Sequence, residues 1–262
     1  MSTDTARKAI FITGAASGIG RATARLFAAE GWFVGCFDRN GGTLDDLKAE
    51  IGEAHGLFQP LDVTDHAGFK LALDAFSAAS GGRMDVLHNN AGIIAEGAFG
   101  DMPWDTVMGI VNVNFVAVMF GIHAALPLLK ATPGSLCFTT CSASAIFGTG
   151  GIAVYSATKH AVRGLTEALS VELHGKGVRA ADVLPGLIDT GMMSPERKPF
   201  LPKEGMFRVV DPSEVAKAVW QAYHGDKVHW YVPPELAQLD LDVTAAPETA
   251  RDKRIEAPTF KF

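Results

Sequence analysis

Short apolar runs alternate with stretches of helical periodicity along most of the chain. Residues 9–12 and 32–37 are continuous apolar runs that stop at polar or glycine residues, as buried strands do. Between them, residues 19–30 repeat apolar side chains at helical spacing and end at Gly31, a residue type that commonly terminates helices. The chain therefore opens with a predicted strand–turn–helix–strand unit.

The same alternation continues to about residue 232. Further candidate strands are residues 57–61, 84–88, 136–140, 178–184 and 228–232. Candidate helices begin at Thr43 with a capping-box pattern, run from a Thr64 cap to residue 79, cover 104–130, extend from around Tyr155 to near Gly175, and follow an Asp211 cap to about residue 223. Residues 187–210 read as a loop-rich insertion.

Strands that are apolar throughout and are joined by helices predict a parallel sheet buried on both faces. We expect one α/β domain over residues 1–262, a doubly wound Rossmann fold with a mostly or wholly parallel sheet of about seven strands. Its core is predicted to cover about residues 8–232, with a substrate loop at 187–210. The segment 233–262 is rich in proline, alanine and charge, and is expected to be an arm or partly disordered.

Composition narrows the possible functions. The chain has 262 residues, of which 48% are hydrophobic and 20% charged, and this balance is typical of a folded protein. Its net charge is −6 and it has no basic run, which argues against nucleic-acid binding. The polar N-terminal residues do not resemble a signal peptide, and no apolar run was expected to reach membrane-spanning length. The three cysteines have no metal-site spacing, so we expect reduced thiols, a cytoplasmic location and no bound metal.

A glycine-rich turn joins the first predicted strand to the first predicted helix. Residues 13–20 read TGAASGIG, and no Gly-Lys-Ser/Thr follows that would indicate a phosphate-transferring loop. Glycines at such a turn let the backbone approach a pyrophosphate, while the helix N-terminus supplies N–H groups and a positive dipole. A purely structural turn fits the same pattern, because the spacing is GxxxGxG.

Asp38 makes the nucleotide interpretation more specific. It closes the second predicted strand, 18 residues after Gly20, where a carboxylate accepts hydrogen bonds from an adenosine ribose diol. The same charge would repel a ribose 2′-phosphate, so NAD is favoured over NADP. Arg39 is adjacent and would favour the opposite choice if it faced the ribose, which leaves NADP as the alternative.

Tyr155 and Lys159 lie four residues apart, on one face of a predicted helix. A phenol titrates near pH ~10 in water, and a neighbouring ammonium lowers that pKa toward the range of general acid–base catalysis. An isolated pair of this kind is also ordinary on a helix surface. The interpretation as a catalytic pair therefore depends on the other motifs.

Four motifs together resemble the short-chain dehydrogenase/reductase family. They are TGAASGIG at 13–20, NNAG at 89–92, YSATK at 155–159 and PGLIDT at 185–190, in the family's order and spacing. The resemblance covers about residues 8–232. It implies an NAD-dependent oxidoreductase that interconverts a secondary alcohol and a ketone.

The resemblance also implies roles for individual residues. Tyr155 would be the acid/base, Lys159 would lower its pKa and hold the nicotinamide ribose, Ser142 would bind the substrate oxygen, and Asn114 would support a water in the proton relay. The cofactor would be bound by Gly14, Ser17, Gly18, Ile19, Gly20, Asp38, Asp62, Val63, Asn90, Ala91, Gly92, Tyr155, Lys159, Pro185, Gly186, Ile188 and Thr190.

Some alternatives stay open at this stage. Ser144 rivals Ser142, and Asn112 rivals Asn114, although the spacing to Pro127 favours Asn114.

The family forms homodimers or homotetramers, but Pro233-Pro234-Glu235 stands where many members have a glycine pair, which makes the usual C-terminal subunit contact doubtful here. Two hypotheses do not involve a dehydrogenase. The first is a nucleotide-sensing binding protein without turnover, and the second is a thiol-based redox protein that uses Cys137 and Cys141. Met192, Met193, Phe200, Met206 and Phe207 suggest an apolar lid over a small-molecule substrate.

Overall fold

Seven parallel strands form one sheet in the computed structural model, which describes residues 7–193, 196 and 198–256. The strands are β1 (Ala9–Thr13), β2 (Phe33–Asp38), β3 (Gly56–Pro60), β4 (Val86–Asn89), β5 (Ser135–Thr140), β6 (Val178–Pro185) and β7 (His229–Val232). Their order is β3-β2-β1-β4-β5-β6-β7, and all of the pairings are parallel. The predicted fold class is confirmed.

Helices cover both faces of the sheet. They are α1 (Gly18–Ala29), α2 (Gly41–Ile51), α3 (His66–Ser80), α4 (Trp104–Val111), α5 (Ala117–Ala131), α6 (Ala153–Glu172), α7 (Pro212–His224), α8 (Leu236–Ala245) and α9 (Pro247–Glu256). One apolar cluster contains Phe69 of α3 and Leu129 of α5, and a second contains Phe27 of α1 and Val219 of α7. The five central strands, β2, β1, β4, β5 and β6, are nearly all buried, which explains their largely apolar sequences, whereas the edge strands β3 and β7 are mostly half-buried.

The chain reverses direction across the sheet between β1 and β4. Successive strands β1, β2 and β3 extend one way from this point, and β4 to β7 extend the other way. Open α/β sheets bind ligands in a crevice outside the carboxyl ends of the strands at such a point, here those of β1 and β4. The glycine turn after Thr13 and the NNAG motif after β4 both lie at this crevice.

The long helix expected at 104–130 is interrupted. A π-helical segment, Asn112–Val116, separates α4 from α5, and such bulges frequently occur at functional sites. The statement that no apolar run reaches membrane-spanning length is wrong for Trp104–Ala131, which is long and apolar enough to cross a bilayer. In this fold the stretch is divided into α4, the π-helical segment and α5, and α5 packs against β4, β5 and α3.

Two helix caps differ from the sequence prediction. Asn40, not Thr43, caps α2 and accepts a hydrogen bond from the Thr43 N–H. Asp65, not Thr64, caps α3 and accepts from the N–H groups of Ala67 and Gly68. In both cases the predicted cap and the observed cap lie within three residues of each other. Serine, threonine, aspartate and asparagine all serve as caps, so residue type alone does not distinguish them.

Replacing Asp65 with alanine should lower the free energy of unfolding by about 1 kcal/mol, because two helix N–H groups lose their acceptor. Chemical denaturation of the purified protein measures this change. Thr64→Ala is the matched control, since the Thr64 hydroxyl bonds Asp62 and caps no helix. A Thr64→Ala loss as large as that of Asp65→Ala would contradict the assignment of the cap.

The segment expected to be an arm or partly disordered forms two helices as far as Glu256. Leu236 and Val243 of α8 and Ala250 of α9 are buried in the same apolar cluster as α3 and α5. Asp240 accepts a two-pronged hydrogen bond from Arg163 of α6 and another from the Tyr231 hydroxyl. Tertiary packing therefore orders a stretch whose composition suggested a tail.

Candidate active site

The glycine turn leaves no room for a side chain at Gly14, Gly18 or Gly20. Gly14 and Gly18 have positive φ angles of 66° and 51°, which other residues rarely adopt. A Cβ on Gly20 would lie 2.1 Å from the Gly14 carbonyl oxygen, and one on Gly14 would lie 2.9 Å from Ala91 Cα. The turn after β1 is thus packed directly against the segment after β4, while Ser17 stands exposed at its tip and Ile19 is half-buried on α1.

Asp38 lies at the carboxyl end of β2, beside this turn. Its carboxylate accepts hydrogen bonds from the N–H groups of Ala16, at 3.1 Å, and Asn40, at 3.0 Å. The side chain is half-buried, whereas Arg39 is exposed. Two backbone donors therefore hold the carboxylate in place, and each of its oxygens keeps capacity for a further donor.

Asp62 and Val63 follow β3, at the outer side of the crevice. Asp62 is exposed, and hydrogen bonds from the Thr64 hydroxyl and N–H hold the pKa of its carboxyl below the ordinary range. Val63 is half-buried and lines a small cavity together with Thr13 and Ala91. Val63 is therefore adjacent to the two segments that form the crevice.

Asn90 ties β4 to the glycine turn. Its side-chain amide donates to the carbonyls of Thr13 and Gly14, at 3.0 and 3.1 Å. The Thr13 hydroxyl accepts from the N–H groups of Asn90 and Ala91. Thr13 was not among the predicted site residues, although its position at the end of β1 was a usable signal.

Tyr155 and Lys159 lie on one helix, α6, as predicted, and both are buried. Lys159 Nζ donates to the Thr140 carbonyl at 2.8 Å and lies 5.5 Å from the centroid of the Tyr155 ring. No carboxylate pairs with this ammonium in the described part of the chain, and a single acceptor leaves two of its three N–H bonds available. A Cβ on Gly92 would lie 3.8 Å from Nζ, so the lysine reaches the NNAG segment.

The direction of the Tyr155 pKa differs from the sequence prediction. Burial raises the pKa of Tyr155 to about 12, and a hydrogen bond with Ser142 opposes that rise. Lys159 was expected to lower the pKa of Tyr155. Burial lowers the pKa of the Lys159 ammonium itself. Desolvation of the phenol is thus the largest influence on the Tyr155 pKa.

The structure distinguishes Ser142 from Ser144 and Asn114 from Asn112, the two pairs of alternatives that the sequence left open. Ser142 contacts the Tyr155 side chain and accepts a hydrogen bond from the Ser144 N–H, whereas the Ser144 hydroxyl is buried and has no hydrogen-bond partner among the described residues. Asn114 is fully buried in the π-helical segment, and Asn112 is exposed. The Asn114 amide both accepts from and donates to the Ile93 backbone, at 2.8 Å in each case.

The PGLIDT segment leaves the carboxyl end of β6 and returns to the glycine turn. The Gly186 N–H donates to the Val232 carbonyl, and Ile188 pairs with Val210 across the loop at 187–210. A Cβ on Gly18 would lie 2.9 Å from Thr190 Cγ2, which places Thr190 against the turn. Pro185, the last residue of β6, is buried.

All of the predicted site residues therefore lie around one crevice or on the loops that border it. Cys137 and Cys141 are buried, and burial raises the pKa of each thiol to about 12, so both stay protonated at neutral pH. No cluster of three metal-ligating side chains occurs among the residues the structure describes.

Residues 8–199 match the family model described as short chain dehydrogenase. The chain belongs to the short-chain dehydrogenase family. Among the curated relatives of this short-chain dehydrogenase, meso-2,3-butanediol dehydrogenase of Serratia marcescens is 35% identical over 213 residues, covering 80% of this chain and 84% of the relative. A 2,5-dichloro-2,5-cyclohexadiene-1,4-diol dehydrogenase of Sphingobium indicum is 40% identical over 193 residues, or 72% of this chain and 76% of the relative.

A solved structure is also similar over most of the length of this short-chain dehydrogenase. The 3-ketoacyl-(acyl-carrier-protein) reductase of Brucella melitensis, crystallised with NADH, superposes with a TM-score of 0.79 at 28% identity. The match covers 86% of this chain and 96% of that one. The family resemblance stated from the motifs is thereby confirmed by independent sequence and structural comparisons.

Proposed function

We propose that this short-chain dehydrogenase uses NAD to interconvert a secondary alcohol and a ketone, with Tyr155 as the acid/base. The observation that carries the proposal is the grouping of Ser142, Tyr155 and Lys159 at the carboxyl edge of the sheet, next to a glycine turn with an ordered aspartate. The named relatives that act on diols, and the similar reductase crystallised with NADH, support it.

The residues present fit a nicotinamide dinucleotide. The turn at 13–20 and the N-terminus of α1 would hold the pyrophosphate, Asp38 the adenosine ribose, and Asp62 with Val63 the adenine. Residues 90–92, together with Pro185, Gly186, Ile188 and Thr190, would border the nicotinamide half. The two N–H bonds that Lys159 leaves unused would bind the nicotinamide ribose. When bound, the nicotinamide supplies hydride acceptance and donation.

The chain's own residues would handle the proton and the substrate oxygen. Ser142 would donate a hydrogen bond to that oxygen, and Tyr155 would take the hydroxyl proton in oxidation or return it in reduction. Asn114, which joins the π-helical segment to the backbone of Ile93, would support a water in the path by which the proton reaches solvent. Burial of the phenol excludes water from the point of transfer.

The decisive experiment follows nicotinamide absorbance with purified protein across a panel of secondary alcohols, vicinal diols, cyclic alcohols and hydroxysteroids, in the presence of NAD or NADP. We expect oxidation of at least one class with NAD. A panel with no turnover, combined with tight NAD binding, would favour the nucleotide-sensing alternative. Tighter binding of NADP than of NAD would overturn the role given to Asp38.

Replacing Asp38 with asparagine should improve the use of NADP relative to NAD by about tenfold, because the change removes a negative charge next to the site of the 2′-phosphate. Ratios of kcat/KM for the two cofactors measure the effect. Asp45→Asn, which removes one exposed carboxylate on α2, is the control for net charge and should leave the ratio unchanged. An unchanged ratio in the Asp38 variant would show that another group selects the cofactor.

Replacing Ser142 with alanine should shift the pH dependence of alcohol oxidation. The Ser142 hydrogen bond lowers the pKa of Tyr155, so its loss raises that pKa further. Oxidation requires the phenolate, and the rising limb of the kcat–pH profile should therefore move to higher pH, with turnover at neutral pH reduced about tenfold or more. Ser144→Ala is the control; a shift in that variant instead would assign the role to Ser144.

A further inference from the structure

A buried histidine lies behind the cofactor crevice, in a strand that is otherwise apolar before its terminal asparagine. His88 of β4 is fully buried, and its Nε2 is 2.9 Å from the hydroxyl oxygen of Thr140 at the end of β5. Its ring also packs edge-on against Phe138. A polar pair in the middle of a buried parallel sheet is costly unless its hydrogen bonds are satisfied, so its arrangement is informative.

The surrounding hydrogen bonds determine which nitrogen of His88 carries the proton. Asn90 directs its amide N–H groups at the carbonyls of Thr13 and Gly14, which leaves its side-chain oxygen facing Thr140. The Thr140 hydroxyl donates its single proton to that oxygen, at 3.1 Å. The hydroxyl must therefore accept from His88, so Nε2 is the protonated nitrogen. His88 Nδ1 has no hydrogen-bond partner among the described residues.

The imidazole stays neutral in this environment. Burial lowers the pKa of His88 to about 3, so the ring keeps one tautomer throughout the physiological range. The ring contacts the Thr140 hydroxyl and the Phe138 ring, and neither of these groups is charged. The pair is thus a fixed donor and acceptor rather than a proton-transfer device.

Thr140 connects this pair to both halves of the site. Its hydroxyl holds Asn90, which holds the glycine turn, and its carbonyl accepts from Lys159. We propose that His88 is a positioning residue for cofactor binding, which fixes the Thr140 hydroxyl and through it the orientation of Asn90 and the glycine turn. The inference rests on the proposed nicotinamide-dependent function.

The test compares NADH affinity, measured by fluorescence titration, in three variants of the full chain. His88→Leu should weaken NADH binding by about tenfold, because the Thr140 hydroxyl loses the donor that orients it. His88→Gln places an amide N–H near the position of Nε2 and should restore most of the affinity. Leu129→Ala is the control for lost stability, since it opens a cavity in the core near the start of β5, at the opposite end of the sheet.

The combination with Thr140→Val separates positioning from general damage. If His88 acts through the Thr140 hydroxyl, the double variant His88→Leu/Thr140→Val binds NADH no more weakly than Thr140→Val alone. Additive losses, or wild-type affinity in His88→Leu, would overturn the inference while leaving the proposed function intact. Wild-type protein that binds no NADH would overturn both.

A spectroscopic measurement tests the structural basis without reference to activity. Two-dimensional ¹H–¹⁵N spectra of the wild-type imidazole should show protonated Nε2 and bare Nδ1 for His88, with no titration between about pH 5 and pH 8. A titrating ring, or protonated Nδ1, would contradict the assignment of the hydrogen bonds and with it the proposal.

Discussion

Tyr155→Phe should reduce turnover by about 10²- to 10⁴-fold while leaving NAD affinity close to that of the wild type. The change removes only the phenol oxygen, so the ring still packs with Val107 and Ile110 in the apolar cluster beside the crevice. General acid–base catalysis contributes an acceleration of this size when the proton-transfer group is positioned against the reacting atom. Steady-state kinetics in both directions, with cofactor titration in parallel, measure the two quantities separately.

The chain offers two matched controls for this variant, because it contains three tyrosines. The hydroxyls of Tyr223 and Tyr231 donate to the carboxylates of Asp85 and Asp240, at 3.1 and 2.6 Å. Their phenylalanine variants also lose a hydrogen-bonded phenol, yet both residues lie outside the crevice. We expect each to lose stability but to keep its turnover. Turnover preserved in Tyr155→Phe would refute the role of Tyr155 as the acid/base.

The strands and the glycine turn were predictable because their signals are local. β1, β2 and β5 begin and end within one or two residues of the predicted runs, since a buried parallel strand needs an unbroken apolar sequence. Many of the predicted cofactor residues, which the family motifs indicated, lie at or just beyond a strand end, whereas Tyr155 and Lys159 lie on α6. Helix caps were less predictable, because Thr64 and Asp65 are both suitable cap residues and only the backbone geometry at the helix start selects one.

Features that depend on distant partners could not be predicted. α8 is ordered by burial of Leu236 and Val243 and by the Arg163–Asp240 pair, whose members are 77 residues apart. His88 and Thr140 are 52 residues apart, and no local pattern indicates that they meet. The direction of the Tyr155 pKa was wrong for a related reason: spacing on a helix identifies a neighbouring charge, but burial depends on everything packed around the phenol.

The family resemblance implies that Lys159 lowers the pKa of Tyr155 and holds the nicotinamide ribose, and the surroundings of Lys159 predict a cost in stability as well. Burial lowers the pKa of Lys159, so the folded chain holds this proton less tightly than the unfolded chain does. The ammonium therefore disfavours folding at every pH below the folded-state pKa. That cost falls only as the pH rises through the folded-state pKa toward lysine's ordinary value.

Lys159→Met should accordingly abolish most turnover without lowering the melting temperature. Desolvation of a buried ion costs several kcal/mol, whereas the one charge-assisted hydrogen bond that is lost, to the Thr140 carbonyl, contributes about 1.5–3 kcal/mol. Methionine is similar in length and fills the same space with apolar atoms. We expect a turnover loss of about 10²-fold or more, weaker NAD binding, and a midpoint in thermal denaturation equal to or above that of the wild type.

The matched control is Lys130→Met on α5, which removes an exposed ammonium and should change neither turnover nor stability measurably. Such a pair of results would identify Lys159 as a residue retained for its chemistry at the expense of stability, as active-site residues commonly are. A clear fall in the melting temperature of Lys159→Met, with Lys130→Met unchanged, would instead show that the ammonium stabilises the fold, through an interaction stronger than its hydrogen bond to Thr140.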